Sequence, residues 1–169
     1  MQSDAASLLC YESHNASLIL GWVESAEQLW HWAARRDFPL IDSGVFCQWH
    51  ADPDITPYQL IIDGELVGYG ELWCESAEPW AEMGRLIIAP KHRNRGLGRL
   101  LIANLAHKVR QLGFHNVWVR VCPTNAAAIA CYLKAGFMQA SEAEQQELNA
   151  TQQHAYAWMK LPLGTADAA

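Results

Sequence analysis

A single α/β domain, with helices flanking a mixed and mostly antiparallel sheet, is what this chain predicts. Three patterns carry that expectation. Tyr58–Ile62 and Leu66–Trp73 are strand-like runs flanking Asp63-Gly64-Glu65, the turn chemistry of a β-hairpin. A strand pattern over Glu82–Ala89 gives way to Leu97, Leu101, Leu105 and Leu112, an apolar helical stripe, and then to a second strand pattern over Asn116–Cys122. With 169 residues, 51% of them apolar, the chain can bury one proper core and is too apolar for disorder.

Residues 1–6 are small and polar and predict a flexible N-terminus; residues 7–162 make up the domain, and 163–169 a flexible tail. Ser7–Tyr11 reads as a first strand. From Asn15 to Ala34, Leu18, Ile19, Trp22, Val23, Ala26, Leu29, Trp30 and Ala33 fall at helical spacing. Glu24-Ser25 interrupts that run, with Ser25 capping a second helix and Gln28 completing a capping-box pattern. A short third helix is expected between Asp42 and His50, and Pro53 and Pro57 mark the loop before the hairpin. Gly113 stops the long helix. Thr124-Asn125 opens another helix that ends at Gly136, followed by strands at Phe137–Ala140 and His154–Leu161. The segment Ser141–Gln153 between them is rich in Glu and Gln and is expected to be an exposed loop.

Composition narrows the possibilities. A net charge of −6 argues against nonspecific nucleic-acid binding. No apolar run reaches the ~20 residues of a membrane helix, and no charged start followed by an apolar stretch suggests a signal peptide. Five cysteines without CxxC spacing indicate neither a disulfide framework nor a zinc site, so a reducing cytoplasmic setting without a bound metal is expected. Eight tryptophans serve either packing or an aromatic-walled pocket.

Chemistry concentrates between Met83 and Gly136. The loop Arg93-Asn94-Arg95-Gly96-Leu97-Gly98-Arg99 joins an apolar strand to a helix. Free N–H groups and a partial positive charge at such a helix start favour an anion. Gly96 and Gly98 permit close backbone approach, and Arg93, Arg95 and Arg99 add charge. Gly-x-Gly alone is equally an ordinary tight turn. A nucleotide site fares worse, because no Gly-Lys-Ser/Thr follows the loop and the third position of G-x-G-x-x-G is Leu101.

Arg93 to Gly98 fits R/Q-x-x-G-x-G/A, preceded by the strand end Leu86-Ile87-Ile88-Ala89-Pro90. About thirty residues downstream, Asn125, Ala128, Tyr132, Gly136 and Phe137 fit N-x-x-A-x-x-x-Y-x-x-x-G-F. In these two motifs, covering roughly a third of its length, the chain resembles the GNAT N-acetyltransferase superfamily. The resemblance implies acetyl-CoA as cosubstrate, no metal, and direct transfer to a primary amine. It places the pyrophosphate on Arg93, Asn94, Arg95, Gly96, Leu97, Gly98 and Arg99. It implies that Ile87 and Ile88 pair pantetheine through main-chain groups, with the Ile88 N–H aimed at the thioester oxygen.

Tyr132 is implied as the general acid, although a helix tyrosine packing the core is the plain alternative. Asn125 is implied to touch the cofactor and is also a natural N-cap. The general base is Glu82 or Glu71; Glu71 shares a strand face with Tyr69 and Trp73, and either carboxylate could simply face solvent. His115 and His154 are weaker candidates, and Cys131 lacks a partner base for an acyl-cysteine route. The acceptor, a small-molecule or peptide amine, would enter among Trp22, Trp30, Trp32, Trp49 and Trp80. Homodimers are common among such relatives. A non-catalytic acyl-CoA-binding module is the alternative from a different class.

Overall fold

The computed structural model describes residues 6–164 apart from Ser76 and Glu78. Its strands are β1 (Ala6–Cys10), β2 (Ile55–Ile62), β3 (Glu65–Trp73), β4 (Ala81–Ile88), β5 (Asn116–Val121), β6 (Met138–Gln139) and β7 (Ala157–Pro162). The helices are α1 (Ala16–Leu20), α2 (Ala26–Ala33), α3 (Gly44–Trp49), α4 (Leu97–Gln111), α5 (Ala126–Lys134) and α6 (Glu142–Asn149). The strands form one sheet in the order β1-β2-β3-β4-β5-β7-β6.

β1 to β4 form an antiparallel meander, and β7 lies antiparallel to both β5 and β6. The β4–β5 pair alone is parallel. A strand–helix–strand crossover through α4 imposes that direction, since a tight hairpin cannot return a chain to the same end of a sheet. The mixed, mostly antiparallel sheet expected from the pattern is therefore present. The Asp63-Gly64 turn holds its two residues at φ 50° and 80°, the left-handed geometry of a two-residue hairpin turn.

Both faces of the sheet are covered. Leu101, Ile102, Leu105 and Val109 of α4 pack with Leu60, Leu72, Met83, Val117 and Val119 in one core. On the opposite face, Ile19, Leu29 and Phe46 from the three early helices pack around Tyr69. Each such fully buried aliphatic side chain contributes about 1.5–3 kcal/mol relative to exposure. Ser25 caps α2 by accepting from Gln28 N at 3.1 Å, as the sequence predicts, but the expected capping box is not closed, because Gln28 Oε1 accepts from Glu24 N at 3.0 Å.

The expectation of a loop over Ser141–Gln153 is corrected: Glu142–Asn149 is helix α6. No residue of α6 is buried, so no apolar stripe announces it. Ser141 and Glu144 instead form a full capping box, and Glu and Gln are good helix formers. Polar bonds dock the helix. The Gln145 side chain accepts from Trp158 N at 2.9 Å and donates to Trp158 O at 3.0 Å, while Asn149 Oδ1 accepts from Tyr156 N at 3.0 Å and Trp158 Nε1 at 3.1 Å.

The ends expected to be loose at 1–6 and 163–169 lie largely outside the described residues. Within them, Ala6 belongs to β1 and Leu163 is buried, its N–H donating to His115 O at 2.8 Å.

Candidate active site

The site begins where two strands part. β4 and β5 pair only at Ala81–Val117 and Glu82–Trp118. Beyond Glu82, β4 stays on β3 alone, and a bulge between Tyr69 and Glu71 of β3 shifts the register. Arg85 sits in that bulge at φ 48°, a left-handed angle that non-glycine residues adopt at some cost. Past the bulge, Ala89 N donates to Val67 O at 3.0 Å. Neighbouring residues of an antiparallel ladder face opposite edges, so the Ile88 N–H and C=O point into the opening while those of Ile87 face β3. Of the two isoleucines expected to offer free main-chain groups, Ile88 offers its N–H, while its C=O accepts from the Arg93 side chain.

The opening continues into the Arg93–Arg99 loop. Asn94 at φ 60° and Gly96 at φ 80° turn the chain into α4. The first helical bond runs from Leu100 N to Gly96 O at 3.2 Å. The backbone N–H groups of Asn94, Arg95, Gly96, Leu97, Gly98 and Arg99 have no hydrogen-bond partner among the described residues. A helix start with this many free donors is built for an oxyanion. A Cβ on Gly98 would lie 3.1 Å from Cys131 Sγ, so the glycine here also permits the close approach of α4 and α5.

The three arginines divide their roles. The Arg93 guanidinium donates to Ile88 O (3.0 Å), Trp22 O (2.7 Å) and Glu24 (2.9 Å), tying the turn after α1 to the end of β4. Arg95 is exposed and donates to His92 Nδ1 at 3.0 Å, and Arg99 is exposed as well. The solvent-exposed charge beside the free amides therefore belongs to Arg95 and Arg99.

A cleft of about 560 Å3 runs from this loop between β4, β5, α2 and α5. Glu82, Ile87, Ile88, Arg93, Asn94, Gly98, Asn125 and Tyr132 line it; Glu71, Arg95, Gly96, Leu97 and Arg99 do not. Tyr132 packs edge-on against Phe137 at 5.4 Å between ring centres. Its hydroxyl bonds no described residue, and burial, with Cys131 and Glu82 nearby, raises its pKa so that it stays protonated. Asn125 Oδ1 accepts from Ala128 N at 3.2 Å and caps α5, leaving its amide nitrogen without a described partner.

The two strand carboxylates occupy different environments. Glu82, 3% exposed, takes a bidentate bond from Arg120 at 2.5 and 2.9 Å, and Gln152 accepts from the same guanidinium at 2.7 Å. Burial pushes the Glu82 carboxyl up, against the pull of Arg120. Glu71 is wholly buried, and burial acts on it in the same direction. There the His50 ring at 3.5 Å, the Arg85 guanidinium at 2.7 Å, the Tyr69 hydroxyl at 2.6 Å and the Trp73 indole at 2.7 Å outweigh burial. Glu71 is held below the usual carboxylate range as a stable anion.

Several residues that sequence reasoning passed over belong to this neighbourhood: Arg85, Arg120 and His31 line the cleft, as does Trp73, expected only as a strand-face neighbour of Glu71. The signal for the two arginines was a single cation inside an otherwise apolar strand, at Gly84-Arg85-Leu86 and Val119-Arg120-Val121. Of the expected aromatic walls, Trp30 and Trp32 line the cleft, while Trp22 is core, Trp49 packs on Trp32 and Trp80 packs on Trp118 outside the lining. His154 packs edge-on against Trp30 at 4.8 Å between ring centres without lining the cleft. Cys131 lines it, but burial raises its thiol pKa and no base adjoins it.

A sheet parted between two parallel strands, with free amides at the mouth of the gap, is the architecture of the N-acetyltransferase fold. Residues 22–137 match the Acetyltransferase (GNAT) family, and the chain belongs to that family. It is 34% identical over 84 residues to the ribosomal protein bS18-alanine N-acetyltransferase of Escherichia coli, a match covering 50% of this chain and 55% of that protein. It is 32% identical over 75 residues to the streptothricin acetyltransferase of Streptomyces lavendulae, covering 44% of this chain and 40% of the relative. The chain thus matches only about half of these curated relatives. Among solved structures, aminoglycoside acetyltransferase AAC(6')-Ib with coenzyme A and kanamycin superposes with a TM-score of 0.73 at 19% identity, over 94% of this chain and 95% of that one. The Escherichia coli ribosomal-protein-S18-alanine N-acetyltransferase superposes at 0.67 with 20% identity, over 97% of each chain. Among the described residues, no helix is long and apolar enough to cross a membrane.

Proposed function

We propose that this protein moves the acetyl group of acetyl-CoA directly onto a primary amine of a small molecule or peptide. The observation that carries the reading is the run of free amides from Asn94 to Arg99, opening onto the gap between β4 and β5. Those donors suit a diphosphate, and the gap suits an extended chain with amides of its own. Family membership and the coenzyme A held by a structural neighbour support it. When bound, acetyl-CoA supplies an activated thioester carbonyl.

The chain's own groups have distinct tasks. The Ile88 N–H faces the opening as a donor for an oxyanion. Tyr132, protonated and free of internal bonds, gives a proton to a departing thiolate. Glu82 is the carboxylate that lines the cleft, and we assign it the proton from the amine; Glu71, outside the lining, serves to hold Arg85.

The assignment has a pH signature. Because the Glu82 pKa is raised, its ionised form is lost at a higher pH than an ordinary carboxylate's. Activity that needs this base falls as pH drops through that raised value. In Glu82→Gln the acceptor must shed its proton unaided, so the rate profile moves to higher pH. An unmoved profile returns the role to Glu71 or to solvent.

Incubation with acetyl-CoA and a panel of amines, titrating free thiol, tests the proposal as a whole. Release above background with at least one amine is the expected result. Tight binding without release from any amine would favour the acyl-CoA-binding module, the reading suited to two carboxylates both paired with arginine.

A further inference from the structure

The proposed transferase site is short of acceptors for a cation. Glu82 is the one acidic residue among the described lining residues, and Arg120 engages both its oxygens. Three arginines, Arg85, Arg93 and Arg120, line the same space. Two of the lining tryptophans already carry guanidinium groups: Arg36 lies 4.4 Å from the Trp30 ring centre, and Arg85 and Arg120 lie 5.1 and 4.9 Å from that of Trp73.

Donors, by contrast, are left over. Arg85 uses only Nη1, on Glu71; its Nε and Nη2 have no bond to a described residue and are not among the buried orphan atoms. The guanidinium is also fixed in place. Its backbone sits in the β4 bulge, its plane rests on Trp49 at 4.0 Å, and its anchor Glu71 is gripped by Tyr69 and Trp73. Arg85 lies three residues before Ile88 on the same strand, and both line the cleft into which the Ile88 N–H faces. A rigid pair of free donors in the same cleft as that amide suits an oxygen carried close to the reacting nitrogen.

We infer that the acceptor is an α-amino carbonyl compound, an amine with a carbonyl or carboxylate oxygen on the neighbouring carbon and no second ammonium group, and that Arg85 binds that oxygen. The inference rests on the transferase reading and adds the substrate class. Free amino-acid amides and peptide N-termini share this chemistry.

The test compares kcat/KM, corrected to the neutral amine, for alaninamide, an alanine-initiated tripeptide, isopropylamine, spermidine and kanamycin. The oxygen-bearing amines should exceed isopropylamine by about tenfold or more, the worth of a charge-assisted hydrogen bond. The alaninamide and tripeptide arms then separate a free acceptor from a peptide one. In Arg85→Met combined with Glu71→Gln, which leaves no buried charge unpaired, the ratio should fall towards one. Arg85→Lys should restore part of it, and that single change keeps the test open if the double variant fails to fold. Thiol release at equal rates from isopropylamine and alaninamide, or preference for spermidine or kanamycin, overturns the inference and leaves the transferase reading intact. No release from any amine while acetyl-CoA still binds overturns both.

Discussion

Tyr132→Phe is expected to lower turnover at least about a hundredfold while acetyl-CoA affinity changes less than about threefold. The substitution deletes one oxygen and keeps the ring that packs on Phe137. In the native protein that hydroxyl bonds no described residue, and burial keeps it protonated, so it is available to a leaving group and to little else. A thiolate of conjugate-acid pKa near ~8.5 departs more readily with a proton in flight, and losing a positioned acid typically costs about 3–5 kcal/mol in the barrier. Stopped-flow thiol release beside calorimetric binding separates the two quantities. Native turnover in the variant would reduce Tyr132 to a packing residue of α5.

Arg95→Glu with Arg99→Glu should weaken acetyl-CoA binding by about a hundredfold or more, with the unliganded melting temperature unchanged. Both side chains are exposed, and Arg95 bonds only His92 within the described fold, so reversal disturbs little of the native packing. Each charge-assisted bond to a diphosphate is worth about 1.5–3 kcal/mol, and two carboxylates beside the free amides add repulsion. The loss should be larger at low salt than at high salt, because exposed charges are screened. Unchanged affinity across that salt range would send the diphosphate elsewhere. Arg93 is unsuitable for this test, since its guanidinium holds Ile88 O and Trp22 O and its loss would loosen α1 and β4 together.

Much of this site was legible in the chain because its signals are local. Gly96 is the residue that tolerates φ 80° at a helix start, and the amides after it are free through helix geometry alone. Asn125 and Ser25 cap by contacts three residues on. The α6 helix escaped notice although its capping box, Ser141 to Glu144, was also local. The absence of an apolar stripe outweighed it, and its docking bonds go to Trp158 of β7 and to Tyr156 just before that strand, both beyond the segment.

The carboxylates show where reading by position stops. By position, Glu82 on the strand leading to the Arg93–Arg99 loop is the expected base and Glu71 on the preceding strand its rival. Their separation depends on partners distant in sequence: Arg85 lies 14 residues from Glu71, and Arg120 lies 38 from Glu82. Residue types, caps and turn angles follow from neighbours along the chain, so the family, the glycine turn into α4 and the sheet's alternation could be read from it alone. Which carboxylate reaches the cleft, which isoleucine frees its amide, and which arginine keeps a donor unused were decided by tertiary structure. Those properties depend on burial and on cross-strand register, and neither exists until the strands have paired.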